Sequence, residues 1–168
     1  MKKQIAAAAA ALALIPAFAL PATALADSSD MRVEYNVKSS YTLRIPANII
    51  LSESQSRESG GIGVNAANIE PGKVLNVSIK DGLTDHKATL ANKSDATVKA
   101  VSAVTDSAGK AMSNGDVVSS FTGVVSSTVT IGNKLTFSKL TDANGGAKVQ
   151  AGSYLGVMTF EASIVDKQ

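Results

Sequence analysis

Apolar and polar residues alternate along short runs of this chain, and Gly, Asn, Asp and Pro divide the runs. A period of two marks a strand with one face buried. Met31, Val33, Tyr35 and Val37 alternate with Arg32, Glu34 and Asn36, which predicts a half-buried strand over Met31–Val37. Tyr41–Ile45 repeats the pattern, and Pro46, which has no ladder donor, ends it or holds it at an edge. Ile49-Ile50-Leu51 is a short apolar segment. Ser52–Gly61 contains no apolar residue and reads as a mobile loop or surface linker. Ile62, Val64 and Ala66 resume the alternation. Glu70-Pro71-Gly72-Lys73 is a strong turn, and Leu75, Val77 and Ile79 share one face of the strand after it.

The second half continues in the same grammar. Thr89–Asn92 is a brief strand. Val98, Ala100, Ser102 and Val104 form one face of a longer one. Asn114-Gly115 and Gly132-Asn133 are hairpin dipeptides, the first leading into Val117–Phe121 and the second lying between Thr128–Ile131 and Lys134–Ser138. Tyr154–Ile164 closes the chain, with Tyr154, Gly156, Met158, Phe160, Ala162 and Ile164 on one side. No stretch after residue 26 holds a helical period. The reading is all-β: an antiparallel, immunoglobulin-like or fimbrial-like β-sandwich of about 8–10 strands. It forms a single domain over residues 27–168.

The first 26 residues follow other rules. Lys2 and Lys3 precede an apolar run from Ile5 to Leu20, broken only by Pro16. Ala24 and Ala26 place small residues at the −3 and −1 positions before Asp27. This is the three-part form of a cleaved, bacterial-type secretory signal. The run falls short of the ~20 residues of a span and no basic stop-transfer cluster follows, so no membrane anchor is expected after cleavage. The expected location is extracellular or at the cell surface.

Removing this segment changes the charge. The whole chain carries +2, but Met1–Ala26 holds two Lys and no acid, so 14 basic residues then balance 14 acidic ones. A neutral domain with no basic stripe is not expected to bind nucleic acid. The absence of Cys excludes disulfide frameworks, thiol chemistry and Cys-based zinc sites.

Candidate chemistry is sparse. His86 is the only His, and its functional reading is a general base partnered by Asp85 or a Ser. No nucleophile elbow is present: Gly152-Ser153-Tyr154-Leu155-Gly156 misplaces the Ser. Asp142-Ala143-Asn144-Gly145 opens like a calcium loop, but the later acid is replaced by Gly152. Distant carboxylates for hydrolysis would come from Glu53, Glu58, Glu70 or Glu161. The expectation is a non-enzyme, with no catalytic, cofactor or metal residue and no cofactor.

Three segments carry a resemblance: Tyr41-Thr42-Leu43-Arg44-Ile45-Pro46, Asn68–Val77 around Glu70-Pro71-Gly72-Lys73, and Ala151–Phe160 with Ala-Gly-Ser-Tyr-Leu-Gly-Val-Met-Thr-Phe. In this order they resemble the small secreted β-sandwich domains of Gram-positive surface proteins. They are also similar to WxL-type surface domains and, more loosely, to fimbrial subunits. The chain has no Trp, so the Trp-x-Leu signature and its peptidoglycan binding do not carry over, and it lacks the Cys pair many fimbrial subunits carry. The resemblance implies a fold, a surface address, and a structural, adhesive or assembly role. The alternative is a module that binds glycan or protein through end loops such as Ser52–Gly61 and Asp142–Gly146. Partners would be cell-surface components or the protein itself. Met31, Val33, Tyr35 and Val37 at one end, and Tyr154, Met158 and Phe160 at the other, are the candidate strand-exchange edges.

Overall fold

The computed structural model describes residues 31–168, with backbone alone over 127–131. Thirteen strands run in chain order: β1 (Ser40–Arg44), β2 (Arg57–Glu58), β3 (Ile62–Asn68), β4 (Lys73–Asp81), β5 (Leu83–Thr84), β6 (Lys87–Asn92) and β7 (Lys99–Thr105). Then come β8 (Val117–Phe121), β9 (Val124–Asn133), β10 (Thr136–Phe137), β11 (Thr141–Asp142), β12 (Tyr154–Leu155) and β13 (Thr159–Asp166). Eight of them span five residues or more, which matches the expected number; the rest are two-residue pairings. Every pairing is antiparallel, and no helix occurs among the described residues. The all-β expectation holds.

Three sheets share one apolar core. The first orders β1-β3-β9, the second β12-β6-β7-β10-β2 with β5 on β6 and β11 on β7, and the third β13-β4-β8. Leu75, Val77 and Ile79 of β4 are all fully buried, as their alternation requires. Each contributes about 1.5–3 kcal/mol through the apolar area it removes from water. Ala100, Ser102 and Val104 of β7 are buried on their predicted face. The Ser102 hydroxyl satisfies itself by donating to the Ser138 carbonyl at 2.8 Å.

Several local expectations are corrected. Met31–Val37 forms no strand; residues 31–39 have no regular secondary structure, and Met31, Val33, Tyr35 and Val37 are exposed. Alternation defines the face a strand would bury, but it supplies no partner for the ladder. Residues up to Tyr35 form one unit and Asn36–Gln168 another. In the first, the side chains of Arg32 and Glu34 form an ion pair.

Gly132-Asn133 is not a hairpin turn. Both residues lie inside β9, and Gly132 serves close approach: a Cβ there would collide with the carbonyl of Ile62 across the β3–β9 pair. Asn114-Gly115 does turn, with Gly115 at φ 90, but β8 then pairs with β4 in another sheet and not back along β7. In β3 a bulge between Val64 and Ala66 moves the buried position from Ala66 to Ala67. Ser52–Gly61 is not wholly loop, since Arg57–Glu58 pairs with β10 and Ser59 is buried.

Tyr154–Ile164 is two strands, not one. Tyr154–Leu155 pairs with β6, Gly156–Met158 crosses over, and Thr159–Asp166 pairs with β4. The crossing presses close on its neighbours: a Cβ on Gly156 would sit 2.6 Å from the Thr89 carbonyl oxygen. From Phe160 onward the predicted faces hold, with Phe160, Ala162 and Ile164 half-buried and Glu161 and Ser163 exposed.

Candidate functional site

The two edges of the β13-β4-β8 sheet differ. Beyond β8, the Ser119 hydroxyl donates to Ile62 O at 2.6 Å, and the Asn133 side-chain amide donates to Val118 O at 2.8 Å. These bonds tie β8 to β3 and β9. Beyond β13 there is no strand among the described residues. The register shows which groups are left there. Lys167 N–H bonds back to Gly72 O at 2.8 Å, on the β4 side. Ile79, opposite Phe160, spends its N–H on Asp116 O and its C=O on Gly115 N, on the β8 side. Antiparallel ladders alternate, so the odd-numbered residues of β13 bond to β4 and the backbone groups of Phe160, Ala162 and Ile164 point outward.

The edge is incompletely covered. The side chains of Phe160, Ala162 and Ile164 pack on the core yet remain half-exposed, as do Leu43 and Ile45 on and just after β1. The Tyr41 hydroxyl reaches across to the Ala162 carbonyl at a long 3.4 Å. Near the start of β13 this seam opens into a groove of about 350 Å³. Buried Ile62, Leu135 and Phe137 line its inner side, and residues 45–51 and 154–160 form its walls. Around it, Ile50, Leu155 and Val157 are 83%, 59% and 73% exposed. Large apolar side chains grouped in this way on a surface mark interaction sites.

Of the predicted edge residues, Tyr154, Met158 and Phe160 come together in this groove wall. The Tyr154 hydroxyl is occupied by Gln150 O at 2.8 Å. Met31, Val33, Tyr35 and Val37 lie on the segment without a strand, and Ala24, Ala26 and Asp27 lie outside the described residues. Sequence reading missed the other wall, Ile45 to Leu51. Its signal was the apolar Ile49-Ile50-Leu51 run directly after a strand-ending Pro46.

His86 does meet a serine. Its Nδ1 lies 3.0 Å from Ser113 Oγ and 3.2 Å from Met112 O. The nearby Asp116 carboxylate accepts the Ser113 backbone N–H at 2.8 Å instead of orienting the ring. That hydrogen bond, opposed by partial burial and aided by Lys110, holds the Asp116 carboxyl below its ordinary 3.8. Glu58 pairs with Lys134 at 3.2 Å and Glu161 with Lys80 at 3.6 Å, on separate sheets. In the Asp142 turn both carboxylate oxygens accept backbone N–H groups, from Asn144 and Gly146. Among the described residues no three His, Asp or Glu side chains gather to hold a metal ion.

Comparison with protein-family models, with curated proteins and with solved structures finds no match.

Proposed function

We propose that this chain is a secreted, non-enzymatic bacterial cell-surface β-sandwich protein with a structural, adhesive or assembly role. The export reading rests on the tripartite pattern ending at Ala24-Leu25-Ala26. The observation that carries the assembly role is the outward-facing backbone of β13 beside an apolar groove. Natural sheets normally cover or charge such an edge, and an edge left ready for pairing accepts a further strand. Size-exclusion chromatography and electron microscopy of the exported protein test this. Concentration-dependent oligomers or fibres are expected; a strict monomer at high concentration overturns the assembly role.

A second reading is a ligand-binding module. One observation favours it: the groove volume lies within the range of small-molecule sites. A glycan array and a cell-wall pull-down would then give a signal that the Val157→Asp variant loses.

A further inference from the structure

We infer that residues 31–37 of a second copy of this chain form the strand that joins the outer edge of β13. The inference rests on the assembly reading above and names its partner and register. The segment has the pattern an added strand needs. Met31, Val33, Tyr35 and Val37 alternate without interruption, yet they are exposed and belong to no sheet. The polar residues between the apolar ones, Arg32 and Glu34, are paired with each other. Seven residues span about 23 Å as a strand, enough to run along the first half of β13 and on over the groove beside its start.

The seat requires apolar residues on one side only. Residues opposite each other in a ladder point to the same face. The segment's odd-numbered side chains therefore cover Phe160 and Ala162, while Arg32 and Glu34 stay on the outer face with Glu161. Charge and groove together select the register. Glu161 holds Lys80 through Oε2, which leaves Oε1 for Arg32. Setting Arg32 across from Glu161 in an antiparallel sense brings Met31 to Ala162, Val33 to Phe160 and Glu34 to Thr159. Tyr35 and Val37 then pass the start of β13 and lie over the groove at Met158 and Gly156. The outward N–H and C=O of Phe160 and the N–H of Ala162 meet Val33 and Met31 as an antiparallel ladder demands, and the Met31 N–H replaces the long Tyr41 hydroxyl bond on the Ala162 carbonyl. A parallel strand with the same ion pair would carry Tyr35 to Ile164 and leave the groove unfilled.

The protein has no native Cys, so paired cysteines report the register directly. Two differently tagged full-length proteins, one Glu34→Cys and one Thr159→Cys, are exported, mixed and mildly oxidised. Opposed residues in a non-hydrogen-bonded pair sit about 4.5 Å apart at Cα, within disulfide reach. A disulfide between the two tagged chains is expected. Efficient cross-linking of Glu34→Cys to Ser163→Cys instead overturns the register. A bond formed within one chain carrying both cysteines, at high dilution, overturns the second copy as occupant. Oligomers that form with no cross-link overturn the inference and leave the assembly reading standing; no oligomers at all overturn both. As a readout independent of cysteines, Arg32→Glu is expected to weaken association roughly tenfold, and Glu161→Arg on the partner to restore it. Association unchanged by Arg32→Glu counts against the ion pair that sets the register.

Discussion

The hydroxyl of Ser119 stands between two residues that are themselves partners. It donates to the Ile62 carbonyl at 2.6 Å and accepts the Asn133 N–H at 2.8 Å, and Ile62 and Asn133 face each other in the β3–β9 pair. One buried side chain thereby fastens β8 to a neighbouring sheet. Ser119→Ala leaves the buried Ile62 carbonyl and the part-buried Asn133 N–H without this partner, at an expected cost of about 1–3 kcal/mol. Urea denaturation measures it. Ser120→Ala, one residue along and exposed, is expected to change stability by less than about 0.5 kcal/mol.

Gly132 makes a different demand on the same region. Gly132→Ala drives a methyl into the Ile62 carbonyl, so the β3–β9 ladder must part. The expected loss is about 1–3 kcal/mol, with faster amide exchange in Gly63 and Val64. Gly109→Ala meets no neighbour and carries only the cost of its φ of 83, about 1–2 kcal/mol, with no change in that exchange.

Asp116 links stability to acid. Its carboxyl titrates below the ordinary 3.8 in the folded chain because it accepts the Ser113 N–H. A lowered folded pKa gives stability that is present above the unfolded value, about 3.9 for Asp, and is lost as pH falls through the folded one. Denaturant midpoints at pH 6 and pH 2 should therefore differ less for Asp116→Asn than for the natural chain. An identical acid loss in both proteins assigns that loss to other carboxylates.

The Asp85-His86 turn joins β5 to β6 with both residues at positive φ, 48 and 63. Two-residue hairpins of this kind favour Asn-Gly. Asp85→Asn with His86→Gly relieves this strain and removes the ring's bonds to Ser113 and Met112. The expected net gain is up to about 1 kcal/mol, read as a higher Tm. A lower Tm would show that the ring bonds outweigh the strain.

The strands the sequence predicts best are those whose faces bury against a single wall. Leu75, Val77 and Ile79 are such a case, because a period of two needs no knowledge of the partner strand. Pairing was less legible. Gly132 has the composition of a turn residue, but its role depends on a carbonyl seventy residues earlier, which no local window contains. The Ala66 and Ala67 exchange turns on Asn65, where the register of β3 shifts against both β1 and β9. Half of the candidate site was readable in the same way. Tyr154, Met158 and Phe160 share a predicted face and do share the groove. The wall from Ile45 to Leu51 has no regular secondary structure and thus no period to read. Met31–Val37 has the clearest alternation of all and no strand, since periodicity describes one side of a contact that has two.

The order β13-β4-β8 also bears on time. Its central strand begins at Lys73, yet its outer partner runs over Thr159–Asp166, so the sheet has no complete form until the chain has been made through Asp166. The β1-β3-β9 sheet waits in the same way for a strand that starts at Val124. Only β5, β6 and β7 join as immediate neighbours. Such long-range pairing slows folding to the millisecond-to-second range, about the slow end for domains of this size. Until β13 joins, the apolar face of Leu75, Val77 and Ile79 lacks its outer partner strand, and an unpaired apolar strand is open to wrong pairing.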